Sequence, residues 1–235
     1  MAKKNKEISS SNLIKVKPIT EGQKSVFETY KKGQNQFLFG CAGTGKTFVS
    51  LYLAMQDVLN LQTKYDKVIL VRSLIPTREI GFLPGDEEDK AALYQVPYQN
   101  MVKFMFEQPN EQAFNMLYDR LKNQGSLYFL STSFLRGLTF DNSIIIVDEC
   151  QNLNFHELDT ITTRVGQDSK IIYCGDFSQT DLLKQNERNG LHDFLRILEE
   201  MQEFNCVEFN IGDIVRSGFV KNYLIQKTKL GMGME

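Results

Sequence analysis

Residues 40–47 read Gly40-Cys41-Ala42-Gly43-Thr44-Gly45-Lys46-Thr47, directly after an apolar run and at the head of a helix-length amphipathic stretch. No other feature constrains the chain so tightly. A strand, a glycine-rich turn and a helix in this order make a loop whose backbone N–H groups converge on an anion, and the helix N-terminus adds positive potential. The glycines permit the tight turn, Lys46 is placed to reach the β and γ phosphates of a nucleotide, and the Thr47 hydroxyl to ligate Mg2+. All eight residues are therefore expected to line a nucleotide site of the P-loop type.

A second pattern agrees with the first. The apolar run at 143–147 ends in Asp148 and Glu149. Asp148 at a strand tip suits holding Mg2+ through water, and Glu149 suits orienting and activating the water that attacks the γ-phosphate. Alone these acids read as solvated loop residues; about a hundred residues after a phosphate loop they read as catalytic. The run at 170–174 ends in Gly175-Asp176-Phe177-Ser178-Gln179, where Gln179 is expected to touch the γ-phosphate and report whether ATP or ADP is bound. Upstream, Pro18-Ile19-Thr20-Glu21-Gly22-Gln23 ends in an amide able to pair with the adenine edge, which favours ATP over GTP; a plain helix-surface glutamine is the other reading.

The apolar runs at 37–40, 67–71, 143–147 and 170–174 are short and β-rich, as in strands buried on both faces. Further strands are expected at 126–130 and 205–209, with helices near 47–61, 155–165, 191–202 and 213–226. Alternation of this kind predicts an α/β fold, a mostly parallel sheet with helices on both faces. The stretch from about 74 to 125 breaks the rhythm and is expected as a helical insertion. Its aromatics, Tyr94, Tyr98, Phe104, Phe106 and Phe114, suit either packing of a helical subdomain or base stacking. A chain of 235 residues fits one such domain, over 18–235. The lysines at 3, 4, 6, 15 and 17 mark residues 1–17 as a basic arm, expected to be solvated and partly disordered.

No apolar run approaches the ~20 residues that cross a bilayer, and the N-terminus lacks the apolar stretch of a signal peptide, so no membrane association and a cytoplasmic location are expected. The net charge of -2 gives no global basic field, which argues against indiscriminate nucleic-acid binding but leaves room for a local groove. Four widely spaced cysteines without a CxxC, and only two histidines, predict neither a zinc site nor a disulfide framework.

Taken together, Asp148-Glu149-Cys150-Gln151-Asn152, the TRVG at 163–166, GDFSQTDL at 175–182 and GFLPGD at 81–86 resemble the PhoH-like proteins, phosphate-starvation-inducible ATPases that share a core with superfamily-one helicases. The resemblance extends to Arg72, Arg136-Gly137, Asn189-Gly190-Leu191 and Asp213-Ile214-Val215-Arg216, and it covers nearly the whole chain. It departs at Cys150, where the family usually carries alanine, and at Arg72-Ser73, where arginine-proline is usual. It implies a P-loop NTPase with a RecA-like or superfamily-one core, in the short single-domain form of bacteria and phages. No PIN nuclease domain precedes the loop, so the ribonuclease activity of two-domain relatives is not expected.

Phosphoryl transfer spreads negative charge that enzymes of this kind meet with an arginine. One core domain leaves two sources: the chain's own C-terminal part, with Arg216 and Arg164 as candidates, or a neighbouring copy, which implies a homo-oligomer such as a ring. Arg216 also reads as a helix-surface charge pairing with Asp213. The preferred function is ATP hydrolysis coupled to binding or remodelling RNA or single-stranded DNA. The alternatives are an ATP-gated switch that binds a protein partner, and a small-molecule kinase, against which the paired acids and the lack of a basic lid both count.

Overall fold

The short apolar runs become strands because side chains alternate across a pleat, and a run that is apolar at every position must be covered on both sides. In the computed structural model, which describes residues 6–73, 87–132, 135–176 and 190–230, they are β1 (Asn35–Gly40), β2 (Lys67–Arg72), β3 (Leu127–Ser131), β4 (Ser143–Val147), β5 (Lys170–Cys174) and β6 (Phe204–Phe209). All pair in parallel in the order β3-β2-β4-β5-β1-β6. Every residue of β4 and β5 is buried, as fits the middle of the sheet.

Parallel neighbours require crossovers, and here helices supply them. They are α1 (Glu21–Lys31), α2 (Lys46–Val58), α3 (Glu87–Met105), α4 (Glu111–Asn123), α5 (Phe155–Thr162), α6 (Leu191–Glu200) and α7 (Gly218–Lys229). Val68, Leu70, Ile144 and Ile146 face a core shared with α1 to α4, while Ile69, Val71, Ile145 and Val147 face a second core with α5 and α6. The expected α/β fold with both faces covered is the observed one.

The differences are local. Helix α1 was not anticipated: its sequence is polar, and it is started by Thr20, whose hydroxyl accepts from the Gln23 N–H at 3.3 Å. Helix α7 begins at Gly218, not near 213, because Ile211–Asp213 forms a single 3-10 turn and the chain then crosses to the phosphate loop. Helices α3 and α4 form no separate subdomain. Tyr98, Val102, Met105, Phe106, Phe114 and Leu121 are buried in the same core as α2, which assigns three of the five insertion aromatics, Tyr98, Phe106 and Phe114, to packing. Phe104 is instead 62% exposed.

Residues 6–17, expected as part of a solvated arm, are packed on the body. Ile8 and Leu13 are buried in the core beside α2 and α3. The Ser10 N–H donates to Leu59 O at 3.2 Å, Ile14 N–H to Met105 O at 2.9 Å, and Val16 N–H to the Tyr52 hydroxyl at 3.1 Å. Lys6 Nζ donates to Val58 O at 2.8 Å and Asp66 O at 2.6 Å. Apolar residues spaced among the lysines have a groove to fill, and burying them outweighs solvating the charges between them. Leu13→Ala is expected to lower the unfolding free energy by about 2–3 kcal/mol, read from a urea midpoint. A solvated arm would leave that midpoint where it was.

Candidate functional site

The phosphate loop is held in shape from outside. The Cys41 N–H donates to Phe209 O of β6 at 2.9 Å, and a Cβ on Gly40 (φ +112°) would stand 2.1 Å from that same oxygen, so only glycine fits. Gly43 O accepts from the Val215 N–H at 3.0 Å. Thr44 O accepts from Gln23 Nε2 at 3.0 Å, while Gln23 Oε1 accepts from the Ile19 N–H at 3.0 Å. Within the loop, Lys46 Nζ is nearly buried and donates to Gly40 O at 2.9 Å and Cys41 O at 2.8 Å. One of its three protons remains for a phosphate oxygen.

The two acids directly follow β4, and β5 lies between that strand and the loop strand β1. Asp148 is buried, with Oδ1 accepting from the Thr47 hydroxyl and Oδ2 from the Tyr98 hydroxyl, each at 2.7 Å. Burial pushes its carboxyl above the ordinary value, and the Thr47 and Tyr98 hydrogen bonds pull it part of the way back. Arg72 Nη1 lies 3.5 Å from the Tyr98 oxygen, and no direct ion pair to Asp148 forms among the described residues. A buried carboxylate met only by neutral hydroxyls, beside the loop, offers oxygen donors of the kind that could hold a Mg2+ together with its waters and phosphate oxygens. Among the described residues no three His, Cys, Asp or Glu side chains gather as a closed metal cage.

Glu149 adopts a left-handed backbone, φ 52° and ψ 41°, rare for a residue with a side chain. Its Oε2 accepts from Gln151 Nε2 at 2.5 Å, and Gln151 Oε1 accepts from the Asp176 N–H at 3.1 Å. The acid is thereby tied to the loop after β5. Gln179, expected on that loop, lies outside the described residues.

These groups share one cavity of about 1000 Å³, lined by Gln23, Ala42, Gly43, Thr44, Gly45, Lys46, Thr47, Asp148, Glu149 and Arg216, with α3 as a further wall. Gly40 and Cys41, expected to line the site, are not among its lining residues; the Cys41 N–H anchors the loop to β6. Gln23 is buried at the rim with one amide proton and one lone pair already used, so half of its hydrogen-bonding capacity is left for a base. Arg216 comes from the same chain: a Cβ on Gly43 would be 2.8 Å from its Cγ. Arg164 is not part of the cavity. It follows α5, which runs back from the β4 tip to the start of β5, and its guanidinium rests on Thr163 and near Leu138 O.

The contacts of two residues escaped sequence reasoning. Tyr98 belongs to the insertion, and nothing local announces its contact with Asp148. Asp213 reads as part of the family resemblance and as a charge partner of Arg216; instead its Oδ1 accepts from the Gly22 N–H and its Oδ2 from the Asn210 N–H, both at 2.9 Å, fixing the turn that carries Arg216 against the start of α1.

With this geometry in place, comparison with known proteins is decisive for the family. A family model described as PhoH-like protein matches residues 15–226. The chain belongs to the PhoH-like family. It is 32% identical over 207 residues to a PhoH-like protein of Synechocystis sp., covering 88% of this chain and 60% of that one. It is 31% identical over 206 residues to protein PhoH of Escherichia coli, covering 87% and 56%. The chain thus spans little more than half the length of these relatives. Among solved structures, the large terminase of a thermophilic bacteriophage superposes with a TM-score of 0.50 at 12% identity, over 88% of this chain and 50% of that one, which supports the P-loop NTPase fold. Among the described residues no helix is long and apolar enough to cross a membrane.

Burial pushes the Asp213 carboxyl up, but the Gly22 and Asn210 N–H groups, with help from Thr20 and Lys221, hold it below the usual aspartate value. A depressed value contributes stability above the unfolded pKa of about 3.9 and loses it as pH falls through the folded value. Asparagine offers one acceptor and turns an NH2 toward the other N–H. Asp213→Asn is therefore expected to cost about 1–3 kcal/mol at pH 7, and the gap between variant and parent to close below about pH 4 in urea titrations.

Proposed function

We propose that this PhoH-like chain is a Mg2+-dependent ATP hydrolase that couples turnover to binding or remodelling RNA or single-stranded DNA. The observation that carries the hydrolase reading is the 2.7 Å hydrogen bond between Thr47 at the head of α2 and Asp148 at the tip of β4, with Glu149 next in the chain. The loop N–H groups and Lys46 bind the β and γ phosphates. Thr47 and Asp148 would hold Mg2+, whose role is to neutralise charge on the β and γ oxygens. Glu149 accepts a proton from the attacking water, and its left-handed backbone turns the carboxylate out of the strand direction toward the cavity. Arg216, lying on Gly43, meets the charge that develops on the transferred group.

An arginine from the same chain supports hydrolysis within one subunit. A ring is then not needed to complete the site, although a homo-oligomer remains compatible with it. The nucleic-acid half of the proposal is supported only by the family resemblance, which implies a core shared with superfamily-one helicases. The second reading, a nucleotide-gated switch for a protein partner, is favoured by the Glu149–Gln151–Asp176 chain, which couples the hydrolytic acid to the loop after β5.

Steady-state ATP hydrolysis with Mg2+, alone and with single-stranded RNA or DNA, separates the two. Glu149→Gln should keep ATP binding and lower kcat by about 10²–10⁴-fold, and retained turnover would refute its role. Stimulation of the parent by nucleic acid supports the coupled hydrolase; turnover indifferent to it hands the site to the switch. Arg216→Ala should lower kcat by about 10³-fold or more. If a mixture with Lys46→Ala protein stays inactive, the arginine acts in its own chain; recovered activity would place it across subunits.

A further inference from the structure

The cavity is larger than a triphosphate requires, and much of its lining away from the phosphate loop is apolar. Besides the phosphate loop it is lined by Val16, Ile19, Phe48, Met101 and Phe104, with Lys17 and Asn100 among them, brought together from the segment before α1, the first turn of α2 and the last turns of α3. Ile19 is 73% and Phe104 62% exposed, whereas their neighbours Leu13, Val102 and Met105 are buried. Two large apolar side chains left in water at the rim of one pocket mark a surface that a ligand covers.

The slot is built on fixed backbone. Ile14 N–H on Met105 O joins the segment before α1 to the end of α3, and Val16 N–H on the Tyr52 hydroxyl joins it to α2. Ile19 is held through Gln23, the same amide that holds Thr44 of the phosphate loop. The Phe104 and Phe48 rings form a T-shaped pair, with centroids 5.7 Å apart and planes at 68°, and Phe48 directly follows Thr47. The contact braces the Phe104 ring, and at 62% exposure most of that ring stays open to a ligand.

We propose that this slot holds the planar base of the nucleotide whose phosphates the loop binds, with Phe104 as the stacking face and Ile19 as the opposing apolar wall. The inference rests on the nucleotide-binding reading above and adds to it the groups that tell a nucleotide from a bare polyphosphate. Continuity decides the occupant: one cavity runs from an anion-binding loop to an apolar slot, which fits a ligand with an anionic tail and a flat aromatic head. Stacking does not read base edges, and Gln23 has half its amide committed, so the slot recognises a purine more strongly than it separates adenine from guanine.

The test is calorimetric titration of the full chain with ATP and with inorganic tripolyphosphate, both with Mg2+, for the parent, Phe104→Ala and Phe104→Tyr. The expected result is ATP affinity reduced about tenfold or more in Phe104→Ala, tripolyphosphate affinity unchanged, and ATP affinity recovered in Phe104→Tyr. Unchanged ATP affinity in Phe104→Ala overturns the proposal. An equal fall for both ligands also overturns it, because Phe104 would then be supporting the loop and not the base. A parent that binds neither ligand defeats the nucleotide reading itself. A single-stranded oligonucleotide titrated in parallel completes the set: if only its affinity falls in Phe104→Ala, the ring stacks on nucleic acid and the base assignment is wrong.

Discussion

The phosphate loop can aim its N–H groups inward only if its remaining backbone groups are paired from elsewhere, and that requirement organises much of this molecule. A backbone N–H or C=O buried without a partner costs about as much as a lost hydrogen bond. Here the Cys41 N–H is met by β6, Gly43 O by Val215, Thr44 O by Gln23, and the carbonyls of Gly40 and Cys41 by Lys46. The partners come from before the loop, from within it, and from some 170 residues later. A loop braced in this way needs little reorganisation when a phosphate arrives, which is what preorganised electrostatic binding demands. The same bracing explains why residues 210–216 cross back to the loop: Val215 holds its backbone, and Arg216 is carried onto its surface.

The parts that look like additions to the core are built into the site. Helix α3 brings Tyr98 to Asp148 on one face and Phe104 to the cavity rim on another, while the segment before α1 supplies Val16 and Ile19 and is clamped to both α2 and α3. A partner that moves α3 moves a hydrogen-bond donor to the buried acid. Coupling between sites requires such a physical element, and a helix carrying both a site contact and an exposed face is one. The burial that makes Asp148 costly without compensation also makes it sensitive to what α3 does.

Sequence legibility followed the range of the interaction. The strands were readable because a strand buried on both faces needs an unbroken apolar run, and 143–147 and 170–174 are such runs. The loop and the two acids were readable because each is a local pattern with its chemistry in adjacent residues. Helix α1 was not, because its buried side includes Gln23 and Thr29, polar residues satisfied by partners far along the chain or across the strand: Gln23 by Thr44, and Thr29 by Gln36 at 2.6 Å. The contacts of Tyr98 and Asp213 were not readable for the same reason, since their partners lie 50 and 191 residues away. The arm misled because its lysines are conspicuous, while the three apolar residues that decide its fate, Ile8, Leu13 and Val16, show no period.

Glu149 shows how a strand end is turned into a catalytic device. A β-strand that simply continued past Asp148 would send the next side chain to the opposite face of the sheet, toward the core with α5 and α6. The left-handed residue breaks that alternation and starts the turn at Cys150–Asn152, leaving the Glu149 carboxylate on the cavity side and the Cys150 side chain buried in its place. For a residue with a Cβ this backbone is strained, and strain of this kind persists only where the surroundings determine it. Gln151 is part of those surroundings: it holds the carboxylate with its NH2 and the Asp176 N–H with its carbonyl. Any displacement of the loop after β5 is therefore felt at the group that orients water, through one side chain and two hydrogen bonds.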